Sequence, residues 1–245
     1  VLRSARLVAG KDLRIELRSR VALGQVVPFT IVVLILFAFA LDPSRRTLAE
    51  ATPGLFWLTV LFALVLTVQR SFALEAADGA RDALRGTGLD PGGLFLGKAI
   101  ALAVELVAVE VVLALGAIVL YGAHVRVAGA FLLAVTGLAA TIGLASAGTL
   151  YGALAAGLRV RDTLLPFLLL PVVVPVLIGA TRAFESALQL DFVGNVGLVK
   201  ACEQALRSGG LDPADGWPWA GLLAIFALVY TAAGLLAFGP LLEDA

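Results

Sequence analysis

Residues 69–98 read QRSFALEAADGARDALRGTGLDPGGLFLGK, eight charged side chains set between two long apolar runs. The run before it, Gly54–Val68, and the run after it, Ala99–Tyr121, carry only Glu105 and Glu110 between them. The chain is forced back into water at this point, and the fold follows from asking why.

Composition identifies the apolar runs. Of 245 residues, 60% are hydrophobic and 15% charged, and the mean hydropathy is +1.00. Soluble domains are about 45–50% apolar and about 25% charged. The chain therefore reads as an integral membrane protein of the all-α class. Its formal net charge is zero, which gives no basis for a nucleic-acid partner. One cysteine, Cys202, excludes an internal disulfide and a cysteine-based metal site. One histidine, His124, and no methionine exclude paired His or His/Met ligation of haem within the chain. No nucleophile, base and orienting group occur together, so no enzyme chemistry is expected. The chain opens on Val1, as a trimmed chain or a start codon other than ATG would.

A helix needs about 20 apolar residues to cross the hydrocarbon. Six candidates emerge: Ala22–Leu41, Gly54–Val68 (extendable to Leu74), Ala99–Tyr121, Ala128–Leu154, Leu164–Ala180 and Trp219–Gly239. The first is too long for a cleavable signal and lacks a small-residue cleavage site after it. Residues 1–245 thus form one transmembrane domain. Residues 1–20 precede the spans, 69–98 link the second to the third, and 181–218 form the longest remaining connection.

Lysine and arginine placement sets the orientation. Twelve lie before the first span, between spans two and three, and between four and five; six lie on the other side. Both termini and residues 69–98 are expected in the cytoplasm, and 181–218 outside. Within residues 1–20, Arg3, Arg6, Lys11, Arg14 and Arg18 share one helical arc, while Leu2, Ala9, Leu13 and Leu17 share another. That is an amphipathic helix suited to the membrane interface, either as an anchor or as an elbow that also touches a cytoplasmic partner.

Residues 92–99, GGLFLGKA, come one residue short of a phosphate-binding loop. Ala99 lacks the hydroxyl that would hold magnesium, and no strand precedes the glycines. The expectation is a glycine turn into the membrane with Lys98 at the headgroups. Glu105 and Glu110 inside the third span point about 140° apart. They are either packing residues or parts of a pathway. Gly148 and Gly152 in the fourth span mark close helix packing, within the monomer or at a dimer seam. Pro166, Pro171 and Pro175 are expected to bend or break the fifth span.

Phe72–Arg85 has helical character, with Phe72, Leu74, Ala76, Ala80, Ala83 and Leu84 as partial apolar faces. Glu75, Asp78, Arg81, Asp82 and Arg85 supply charge, and Gly79 weakens it. It is either a solvated connection or a short cytoplasmic helix that feels a separate subunit. Gly86, Gly88, Pro91, Gly92 and Gly93 then stop it.

In order and spacing the chain resembles the membrane subunit of the cytochrome c maturation haem exporter, the protein B family of six-span ABC export permeases. The resemblance rests on the basic start Lys11–Arg20, Pro53, Gly54 and Trp57 entering span two, and Arg70 and Phe72 leaving it. It continues through Glu75, Asp78, Gly79 and Leu84, Gly97-Lys98 opening span three, Gly157-Leu-Arg159, and Pro171 and Pro175 in span five. It implies that Phe72, Glu75, Asp78, Gly79, Arg81, Asp82, Leu84 and Arg85 form the coupling surface for an ATPase. The other implied features are two copies of this chain with two ATP-binding subunits, ATP-Mg on that partner, and no cofactor held by this chain. Haem is then the handled ligand, with ATP hydrolysis coupled to haem export or to release of a haem-loaded chaperone, and with a haem-handling membrane subunit and that chaperone as further partners. The location implied is the bacterial inner membrane. Two rivals are an ABC permease for lipid, glycan or drug and a membrane scaffold without an ATPase.

Overall fold

The computed structural model describes residues 1–19, 22–40, 45–77, 90–121, 127–156, 161–188 and 216–243. Helices are α1 (Leu2–Ser19), α2 (Val27–Ala40, entered through a π-helical turn at Ala22–Val26), α3 (Arg45–Ala77), α4 (Pro91–Tyr121), α5 (Val127–Ala156), α6 (Arg161–Leu188) and α7 (Trp217–Glu243). No strand occurs among the described residues. Among the described residues, five helices are long and apolar enough to cross a membrane, and Gly24–Ala40 is a shorter apolar helix. The protein is an all-α membrane protein of the expected class.

Small residues set the packing. Lipid tails are as apolar as leucine, so helices associate in the bilayer through close contact and hydrogen bonds. Helix α5 packs on α3, α4, α6 and α7. Gly148 receives Val68, Leu64 and Leu102, Gly152 receives Phe72 and Val68, and Gly143 receives Phe226 and Ala227. The glycines of α5 are therefore occupied inside the monomer. Ser146 and Thr231 add a hydrogen bond of 2.9 Å between α5 and α7.

Contacts at the ends fix the topology. Gly93 of α4 meets α1, while Gly92 faces Leu235 and Gly239 faces Pro91. At the opposite end Gly129 meets Ala187, Gly216 lies against Leu132 and Ser186, and Phe131 packs on Trp217 with centroids 5.7 Å apart. So α1, the last turns of α3, the first turns of α4 and the last turns of α7 share one end of the bundle.

Three boundaries differ from the sequence expectation. Helix α3 starts at Arg45, carries Pro53 inside it, and runs without a break through Arg70 and Phe72 to Ala77. The separate helix expected over Phe72–Arg85 therefore does not begin at Phe72. Helix α4 starts at Pro91, because Asp90 caps it by accepting the Gly93 N–H at 2.7 Å and proline suits a first helical position. The glycines at 92 and 93 are thus helical rather than a turn. Helix α6 is unbroken through Pro166, Pro171 and Pro175 and continues to Leu188. The first eight residues expected in the outer loop 181–218 are helical. Phe184 among them packs on Phe56 and Trp57, with centroids 5.1 Å from each.

Candidate functional site

Of the residues singled out by sequence, Arg70, Phe72, Gly97 and Lys98 lie together at the end of the bundle where α3 stops and α4 begins. Gly93 and Gly97 stand one turn apart on α4 and face α1. A Cβ on Gly97 would meet the Val8 Cβ at 2.6 Å and the Ala5 carbonyl at 2.8 Å; one on Gly93 would meet the Val1 carbonyl at 2.8 Å. Their contacts advance together along both helices, so α1 runs beside the first turns of α4 in the same direction. The glycines that resemble a phosphate loop are a helix-packing seam.

That seam turns one face of α1 inward. Ala5, Val8 and Ala9 are buried, and Asp12 and Glu16 continue the same face at helical spacing. Arg70 near the end of α3 donates to Glu16 at 2.7 Å, with the side chains 17% and 12% exposed. Lys98 on α4, only 7% exposed, lies 3.9 Å from Asp12 and donates to Ser71 Oγ at 3.2 Å. Its ammonium also stands 4.6 Å from the centroid of the Phe72 ring, a cation–π contact. One helix thus ties together the two helix ends that flank residues 78–89. Lys98 is enclosed by α1, α3 and α4.

Asp12 and Glu16 were not among the residues the sequence singled out. The signal was present: they are the only acids in α1 and lie four apart on the face holding Ala5 and Val8. A reading that looked only for basic and leucine-rich arcs passes over them.

Glu105 lies half-buried on α4, within electrostatic reach of Glu16, Arg70, Asp12 and Lys98. Glu110 faces α5, where the Thr141 hydroxyl donates to its carboxyl and Gly137 leaves the space it fills. The two acids serve different interfaces. Among the described residues no group of three His, Cys, Asp or Glu side chains is placed to hold a metal.

The remaining candidates are placed as follows. Phe72 is buried in the bundle. Glu75 lies in the last turns of α3. Asp78, Gly79, Arg81, Asp82, Leu84 and Arg85 fall outside the described residues, as do His124 and Cys202. Trp57 is fully enclosed, Gly54 faces open space, and Pro171 and Pro175 lie on the exposed side of α6.

Comparison with known proteins places this architecture. The family model described as CcmB protein matches residues 4–211. Heme exporter protein B of Rhodobacter capsulatus is 33% identical over 175 residues, covering 71% of this chain and 78% of that protein. The protein of the same name from Paracoccus denitrificans is 32% identical over the same shares. That from Haemophilus influenzae is 28% identical over 192 residues, covering 78% and 86%. With a family match running from α1 past the end of α6, this multi-pass, all-α membrane protein belongs to the CcmB protein family.

Proposed function

We propose that the chain is the membrane-spanning subunit of a haem export system of the inner membrane, serving cytochrome c maturation and driven by a separate ATP-binding subunit. Family membership supports the export role, since relatives carry the name heme exporter protein B. The observation that carries the coupling role is the three-helix junction. Glu16–Arg70 and Asp12–Lys98 brace the end of α3 and the start of α4. Those two points are where force on residues 78–89 would enter the bundle.

In this reading two copies of the chain meet two ATP-binding subunits. The last turn of α3 and residues 78–85 contact the ATPase through Glu75, Asp78, Arg81, Asp82 and Arg85. Phe72, Arg70 and Lys98 act behind that surface as the rigid base. ATP-Mg is held by the partner, and this chain hydrolyses nothing. A haem-handling membrane subunit and a haem chaperone complete the assembly, and both termini face the cytoplasm. Glu105, beside the junction, and Glu110, at the α4–α5 seam, are the polar groups along the third span that a haem path would meet.

The test is the triple reversal Glu75→Lys, Asp78→Lys and Asp82→Lys in the complex purified in mild detergent. The expected result is loss of the ATP-binding subunit, or hydrolysis no longer linked to cytochrome c maturation, with normal membrane insertion. Interface charge pairs are worth several kcal/mol when one partner is stranded, about 2–5. Wild-type ATPase recovery and wild-type maturation in that variant would overturn the coupling role.

A further inference from the structure

The ion pairs at the junction divide the charge of α1 between its two sides. Helix α1 carries Arg3, Arg6, Lys11, Arg14 and Arg18 against Asp12 and Glu16. Both acids are turned inward, Glu16 to Arg70 and Asp12 toward Lys98. Arg3, Arg6, Arg14 and Arg18 are all exposed, and Lys11 pairs with Asp12 at 3.0 Å. The outward surface of α1 therefore presents four arginines and no acid.

Between the docked face and the arginines runs an apolar edge. Leu2 is 82% and Leu17 74% exposed, with Leu13 half-buried between them. At 100° per residue these three lie on one stripe. Around the helix Leu2, Leu13 and Leu17 adjoin the bundle contact with Arg6 among them, and Arg3, Arg14 and Arg18 follow with the exposed Leu7 between the last two. Helix α4, against which α1 packs, has 31 residues, about 45 Å at 1.5 Å per residue. That exceeds a hydrocarbon core of about 30 Å. About 15 Å of α4 is therefore surplus to the hydrocarbon, and α1 packs on its first turns at Gly93 and Gly97.

We propose that the outer face of α1 is a binding surface for anionic phospholipid. Leu2, Leu13 and Leu17 enter the acyl boundary, and Arg3, Arg6, Arg14 and Arg18 hold phosphate headgroups. The fold makes this surface by consuming the two acids of α1 internally. Guanidinium groups suit phosphate because they donate two parallel hydrogen bonds. Each basic residue near an anionic leaflet adds about fivefold to affinity. The proposal goes beyond the export reading and does not rest on it.

The experiment reconstitutes the full chain in nanodiscs of phosphatidylcholine and phosphatidylglycerol in equal parts and counts retained lipids by native mass spectrometry. Wild type should retain phosphatidylglycerol selectively, and sodium chloride should erode the selectivity as screening shortens the field. Equal retention of the two lipids by wild type would overturn the proposal, whatever the variants do. The quadruple change Arg3→Gln, Arg6→Gln, Arg14→Gln and Arg18→Gln should cut selectivity by about tenfold or more. The matching change to lysine should keep most of it. A lysine variant as defective as the glutamine variant, or a glutamine variant with full selectivity, would refute a charge-based site. Displacement by inorganic phosphate beyond that by sodium chloride at equal ionic strength would make this a free-phosphate site instead.

Discussion

Gly97 has no side chain because α1 occupies the place where one would be. Its Cβ would meet the Val8 Cβ at 2.6 Å and the Ala5 carbonyl at 2.8 Å, and backbone cannot swing aside. Gly97→Val should lift α1 from α4 at a cost of about 1–3 kcal/mol, the usual price of overpacking. The check is thermal denaturation in detergent together with faster proteolysis within residues 1–19. Gly54, which faces open space, should accept alanine with little change in the same assay. The Glu16–Arg70 pair makes a second test at this scale. Both side chains are more than four-fifths buried, so removing either partner weakens the balance of a largely desolvated ion pair. A double-mutant cycle with Glu16→Gln and Arg70→Gln should give a coupling energy of about 0.5–3 kcal/mol. Strict additivity would mean that the pair holds nothing together.

Among elements, α4 and α5 show how a polar group can hold two spans together in lipid. The Glu110 carboxyl accepts from Thr141, beside Gly137 on the preceding turn of α5. Hydrogen bonds between membrane helices average about 0.6 kcal/mol and reach about 1.7. Thr141→Val should therefore destabilise modestly, within that range, in equilibrium unfolding from mixed micelles. Glu110→Gln should be tolerated better than Glu110→Leu, because the amide oxygen still accepts the hydroxyl. Equal behaviour of the two would show that the seam depends on volume alone. Helix α6 was expected to bend or break at its prolines. It stays helical through all three, as membrane helices do when neighbours re-satisfy freed backbone groups.

For the whole molecule, α1 and the last turns of α7 lie at the same end, beside the α3–α4 connection. The twelve-to-six distribution of lysine and arginine predicts that this end is cytoplasmic. Cys202 would then be reached from the outside. An impermeant thiol reagent should label it in intact cells and should not label Cys202→Ser. Labelling of Cys202 only in inside-out vesicles would reverse the orientation.

The sequence by itself determined the membrane class, the six apolar helices and a charged return between the second and third. Hydropathy along a helix is a local sum, and crossing oil demands about 20 apolar residues wherever the neighbours lie. It also exposed the basic and leucine arcs of α1, because 3.6-residue periodicity is local too. Tertiary structure alone decided which face of α1 turned inward. Arg70 and Glu16 are 54 positions apart, and their pairing lets a charged residue remain inside α3 where a sequence reading ends the span. The same holds for Phe184, assigned by polarity to an outer loop and placed by packing against Trp57. A residue's periodicity names the face it shares, but only the neighbouring helix fixes whether that face meets protein, lipid or water.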